Sequence, residues 1–100
     1  MLRSELLIHQ PSRLRIMASL VALHDGESLD FASLKKLAKL TDGNLSSHLS
    51  ELERAGYVFI EKIFEGKKPK TRVWVSLEGR DVFLKYVEKL ERILKGIPDD

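Results

Sequence analysis

The chain predicts an α+β, mainly α fold in which a β-hairpin is set between helices. Apolar residues recur at helical spacing in four segments. Two short β-branched and aromatic runs flank a basic stretch that contains a glycine, and Gly or Pro stands at segment ends. One hundred residues, 43% hydrophobic and 32% charged, suit a single globular domain over 1–100 with a modest core.

Each element has its own signal. Pro11-Ser12 starts a first helix, in which Leu14, Met17, Ala18, Val21 and Ala22 form the apolar stripe, and Asp25-Gly26 turns the chain. Asp30 caps a second, short helix with Leu34, Leu37 and Ala38 inward and Lys35, Lys36 and Lys39 solvated. Thr41-Asp42-Gly43 breaks the period for a few residues. A third helix then runs to Arg54 or Ala55, with Gly56 as its C-terminal cap. Two short helices joined by a tight turn, over about residues 30–56, form a helix-turn-helix pattern.

Tyr57-Val58-Phe59-Ile60 and Val73-Trp74-Val75 read as strands around Glu65-Gly66-Lys67-Lys68-Pro69-Lys70-Thr71, a hairpin with a basic tip over about 57–77. From about 78 to 95 the helical period returns, with Val82, Phe83, Tyr86, Val87, Leu90, Ile93 and Leu94 on one stripe, until Gly96 and Pro98 stop it. The order helix, helix, helix, hairpin, helix matches a winged helix-turn-helix with a two- or three-stranded wing and a long C-terminal helix.

The third helix points to function. With Leu45, Leu49 and Leu52 inward, the opposite side carries Asn44, Ser46, Ser47, Ser50 and Arg54, most of them slender. A helix so furnished suits a major groove about 12 Å wide, because its backbone approaches closely while hydroxyl and amide groups reach bases or phosphates. Glu51 is the exception on that side, and pairing with Arg54 at i+3 would neutralise it. His48 lies at the border of the apolar face and reads as a packed histidine. The net charge is only +2, so its placement matters more than its sum. Lys67, Lys68, Lys70 and Arg72 against Glu65 give the hairpin a local positive excess suited to phosphates.

Other function classes are excluded or weakened. No cysteine occurs, which removes disulfides, thiolate metal sites and cysteine nucleophiles. His9, His24 and His48 have no ligand spacing, and no cofactor is expected. Ser46, Ser47 and His48 are sequence neighbours, and on a helix adjacent side chains diverge by about 100°, so they form no nucleophile–base pair. The chain is not read as an enzyme. The apolar run Leu6–Ile8 is short and no run is long enough to cross a bilayer, so a soluble, cytoplasmic protein is expected. Gln10 and Asn44 are the only side-chain amides beside abundant Lys, Arg and Glu, a bias found in proteins from hot environments.

The runs Asp30-Phe31-Ala32-Ser33-Leu34-Lys35-Lys36 and Leu40-Thr41-Asp42-Gly43-Asn44-Leu45-Ser46-Ser47-His48-Leu49 are followed by Leu52-Glu53 and Ala55-Gly56-Tyr57-Val58. Together with Pro11-Ser12-Arg13-Leu14-Arg15-Ile16, this combination resembles the small winged-helix DNA-binding transcriptional regulators related to the MarR and ArsR families. The resemblance implies a dimeric transcription factor with its third helix in the major groove and its wing on the backbone or minor groove. By position, Asn44, Ser46, Ser47, Ser50 and Arg54 become groove contacts, and Lys67, Lys68, Lys70 and Arg72 wing contacts. The chain departs from the metal-sensing ArsR branch, which carries a cysteine pair in or near its second helix. Here that region reads Leu34-Lys35-Lys36-Leu37-Ala38, so thiolate sensing is excluded. Its length also leaves little for the extra helices that enclose a ligand pocket in longer relatives, and a small-molecule effector stays open.

The last apolar stripe outruns what a compact core covers. Burying each large side chain is worth roughly 1.5–3 kcal/mol, which favours a homodimer through Val87, Leu90, Ile93 and Leu94 together with Leu2, Leu6 and Leu7. The expected function is therefore sequence-specific binding of double-stranded DNA by a homodimeric regulator. The alternative is a winged-helix protein-interaction module in a larger complex without base-specific binding, since fold alone does not set function.

Overall fold

Pro11, whose missing N–H costs nothing at a helix start, opens α1 (Pro11–Val21). The computed structural model describes residues 7–98. After α1 come β1 (Leu29–Asp30), α2 (Phe31–Ala38), α3 (Asp42–Arg54), β2 (Val58–Glu65), β3 (Lys68–Val75) and α4 (Leu77–Leu94). The strands form one antiparallel sheet in the order β1-β3-β2, so the wing is three-stranded.

Side-chain caps set three of the helix starts. Asp30 accepts from the Ser33 N–H at 2.7 Å, Thr41 from Asn44 at 3.2 Å and Ser76 from Gly79 at 2.9 Å. The turn between α2 and α3 is tighter than the sequence suggests. Lys39 adopts left-handed backbone at φ 57°, and the Leu40 N–H returns to the Lys35 carbonyl, so Thr41 is already the cap. Asp42 and Gly43, expected to break the period, are the first residues of α3. The capping bond to Thr41 and the favourable position of an acid at a helix N-terminus outweigh their weak propensity.

At the far end of α3 the Gly56 N–H donates to the Glu53 carbonyl and the Tyr57 N–H to the Leu52 carbonyl, a Schellman closure. The chain thereby turns straight into β2. Ser76 Oγ donates to the Gly56 carbonyl at 2.6 Å while capping α4, so the end of α3 and the start of α4 are tied together. Gly79 is required there, because a Cβ would strike the Tyr57 carbonyl oxygen and lie 2.9 Å from the Tyr57 Cα.

Ile8, Ile16, Met17, Leu20, Leu34, Ala38, Leu45, Leu49, Leu52, Tyr57, Val58, Val73 and Phe83 make up the core. Two expectations shift. In α1 the centre of the buried stripe is Ile16, Met17 and Leu20, with Leu14 and Val21 at its margins and Ala18 and Ala22 exposed. The cause is that α1 packs against α2, α4 and β3 at once, which buries a wide arc. In α2, Leu34 and Ala38 are buried but Leu37 is 55% exposed. Arg15 Nε donates to the Ala38 carbonyl at 2.8 Å, fixing α2 on α1 with Leu37 turned past the contact.

Along α4, Phe83 is buried and Val82, Tyr86 and Val87 pack on the core. Farther on, Leu90 is half-buried and Ile93 and Leu94 are 58% and 78% exposed. Arg80 anchors the start of this helix by donating to the Val21 carbonyl at 3.1 Å and pairing with Asp25 at 3.5 Å. Leu2 and Leu6, expected to join the apolar surface of α4, lie outside the described residues, whereas Leu7 packs against the core.

Candidate nucleic-acid interface

Leu45, Leu49 and Leu52 are 0%, 2% and 0% exposed and seat α3 on the core. Asn44, Ser46, Ser47, Ser50 and Arg54 are exposed. At about 100° per residue they divide into three strips: Ser46 and Ser50 along the edge facing the wing, Ser47 and Arg54 on the crest, and Asn44 on the far edge with Glu51 and His48. Ser46 and Ser50 line a cleft of about 210 Å³ whose other walls are Phe31, Leu49, Ile60, Lys62 and Thr71. The cleft separates the helix crest from the hairpin.

Glu51 Oε1 pairs with Arg54 Nη1 at 3.3 Å, which answers what the carboxylate does on a face otherwise suited to DNA. Both partners are largely solvated, and such pairs are worth about 0–1 kcal/mol, so Arg54 can exchange Glu51 for a phosphate at small cost. Lys35 likewise pairs with Asp42 at 2.8 Å and ties α2 to the first turn of α3.

On the far edge, Arg13 Nε donates to His48 Nδ1 at 3.1 Å, a bond that Nδ1 accepts only while it carries no proton. Burial first, and the Arg13 charge second, hold the His48 pKa below its ordinary value. A histidine depressed in the folded state contributes stability that is complete above the unfolded pKa of about 6.5 and is lost as pH falls through the lower folded value. Denaturant midpoints measured from pH 8 to pH 5 are expected to fall for the native chain on the acid side and to fall less for His48→Gln. Equal slopes for the two proteins would show that His48 does not carry this dependence.

The wing is two-faced. β2 and β3 pair without a break from Val58↔Val75 to Glu65↔Lys68. Gly66 at φ 65° and Lys67 form the two-residue connection, the pattern of a type II′ turn with glycine first. Residues alternate across the sheet, so Val58, Ile60, Lys62 and Phe64 share the face turned to α3 with Val73, Thr71 and Pro69. Glu61, Glu65, Lys68, Lys70 and Arg72 stand on the other.

That division redistributes the expected positive charge. Lys70 lies 2.9 Å from Glu65 and 3.7 Å from Asp30, and Arg72 lies 3.6 Å from Glu65 and donates to Ser28 Oγ at 3.3 Å. The hydrogen bond and charge of Lys70 hold the Glu65 carboxyl below its ordinary pKa, and Glu65 raises that of Lys70 in return. Asp30 is lowered first by the capping Ser33 N–H and then by Lys70 and Arg72. Among the described residues Lys67 and Lys68 have no ion pair and stand exposed at the tip. Lys62, exposed across the cleft from Ser46 and Ser50, joins them. Its signal was present in the alternation from Val58, which places every second residue on one face; summing charge over the hairpin hides it.

A helix with a slender polar crest, seated beside a basic antiparallel hairpin, defines a winged-helix domain. Residues 12–94 match the family model described as a winged helix DNA-binding domain, and the chain belongs to that family, one of DNA-binding domains rather than enzymes. It is 35% identical over 85 residues to an uncharacterised protein of Methanocaldococcus jannaschii, covering 85% of this chain and 89% of that one. A transcriptional regulator homologue from Pyrococcus horikoshii OT3 superposes with a TM-score of 0.80 at 30% identity, over 90% of this chain and 86% of its own. A MarR-family regulator from Silicibacter pomeroyi shares the fold with a TM-score of 0.65 at 21% identity, over 96% and 70% of the two chains. Among the described residues no helix is long and apolar enough to cross a membrane.

Proposed function

We propose that the chain is a sequence-specific, double-stranded DNA-binding transcriptional regulator that acts as a homodimer in the cytoplasm, without a cofactor. The observation that carries this reading is the pairing of α3's slender exposed face with the unpaired cations of the wing. Asn44, Ser46, Ser47, Ser50 and Arg54 enter the major groove and read or position bases. Lys62, Lys67 and Lys68 hold phosphates beside it, while Lys70 and Arg72 mainly stiffen the hairpin through Glu65 and Asp30.

Dimerisation is supported by the apolar surface at the end of α4. Ile93, Leu94 and the following Ile97 are 58%, 78% and 43% exposed, and a second copy would cover them together with the half-buried Val87 and Leu90. A two-fold dimer then reads two half-sites about one helical turn apart, or a multiple of it.

Selection of bound duplexes from a random pool, followed by gel-shift titration at low salt and sedimentation of the free protein, tests the reading. A symmetric enriched site and a protein of twice the chain mass are expected. Absence of affinity for any duplex, with a stable protein partner recovered through α3, would select the interaction-module alternative.

A further inference from the structure

Phe64, the last large side chain before the wing turn, is 72% exposed and is not among the residues packed against the core. Its ladder partner is Pro69, so the two rings stand side by side at the hairpin tip. Both lie on the face turned to α3, in line with Ile60 and Lys62, whereas Phe59 stands on the opposite face with Trp74. At about 3.4 Å per residue, Phe64 projects roughly 13–14 Å beyond Ile60, where the sheet leaves the core.

Cations flank this apolar tip, and the neighbouring Glu65 is already paired with Lys70 at 2.9 Å and Arg72 at 3.6 Å. Lys67 and Lys68 flank it across the turn, and Lys62 precedes it on the same strand face. An apolar point between unpaired lysines is complementary to a minor groove, where stacked bases lie about 7.5 Å deep between two phosphate rails about 6 Å apart. With α3 in the major groove, the tip of the wing reaches the adjacent minor groove. We infer that Phe64, backed by Pro69, is a wedge that enters this groove, partly unstacks one base step and bends the bound duplex, with Lys67 and Lys68 on the flanking phosphates. The inference rests on the DNA-binding reading and adds to it a deformation of the target. Because pyrimidine–purine steps unstack most easily, a TA or CA/TG step at a fixed distance outside each α3 half-site is the sequence preference it creates.

The test uses the full chain on a selected duplex, with bending read by circularly permuted gel mobility and unstacking by 2-aminopurine fluorescence at the flanking step. Phe64→Ala is expected to weaken binding roughly 5- to 150-fold, the range for loss of one aromatic–base contact. It should also remove the bend and the fluorescence rise, leave the salt slope unchanged, and leave the unfolding midpoint nearly unchanged because the ring is 72% exposed. Phe64→Leu, which keeps an apolar wedge, should retain most of the bend. If the native chain binds and Phe64→Ala bends DNA equally, the wedge is wrong and the DNA reading stands. If Phe64→Ala alters the oligomeric state and not the bend, the ring is a protein contact and the wedge is also wrong. Failure of the native chain to bind any duplex removes the DNA reading and the wedge with it.

Discussion

Replacing Lys67 and Lys68 together by alanine is expected to weaken binding to every duplex, cognate or not. Each lysine that neutralises a phosphate contributes about 0.9 to the slope of log affinity against log salt, so the double variant should lose roughly two units of slope. Extrapolated from 1 M to physiological salt, that corresponds to roughly a thirtyfold loss. Site preference should be unchanged, because phosphates carry no base identity. Lys70→Ala is the informative contrast: its ammonium is 2.9 Å from Glu65 and 3.7 Å from Asp30, and it stands on the face away from α3. Its slope should stay within about half a unit of the native value. Anisotropy titrations between 50 and 200 mM salt measure both, and a double variant with the native slope would remove the tip lysines from the interface.

The second large effect falls on stability. Leu45 is fully buried beneath the N-terminal half of α3, between the exposed Asn44 and Ser46. Leu45→Ala is expected to cost about 2–5 kcal/mol, the transfer free energy of the lost methyl groups plus the cavity they leave. In a domain of this size each kcal/mol lowers Tm by about 4–8 °C. Leu37→Ala removes the same atoms from a side chain that is 55% exposed and should change stability by no more than about 0.5 kcal/mol. Denaturant melts at one fixed protein concentration compare the two with any oligomerisation term held equal. Equal losses would mean that α3 is not held to the core through Leu45.

The contrast between Leu37 and Leu45 shows where sequence reading reaches and where it stops. Both fit an inward helical stripe, and spacing alone treats them alike. Only the placement of α2 on α1, through Arg15 and the Ala38 carbonyl, turns Leu37 to solvent. Ile8 is the converse, the last residue of an apolar run weighed only as a membrane span, and its side chain is fully buried. Strand β1 has two residues, too short for any periodicity, and exists because Leu29 and Asp30 pair with Val73 and Arg72 far along the chain.

The candidate interface divides in the same way. The exposed face of α3 was legible because helix geometry is local: once Leu45, Leu49 and Leu52 face the core, the places of the serines and of Arg54 follow. The wing's basic character was legible too, but not which of its cations are unpaired. That depends on strand register, which sets Lys70 and Arg72 beside Glu65 and Asp30 and turns Lys62 and Phe64 toward α3.

By itself, then, the sequence determined the helices, their caps at Asp30 and Gly56, the hairpin and the winged-helix order, because each depends on residues a few positions apart. Tertiary structure decided the third strand, the exact membership of the core, the Arg13–His48 contact and the two-faced wing, because each needs a partner from elsewhere in the chain. Side-chain alternation is fixed along a strand, but what faces each side is chosen only when the strand is packed.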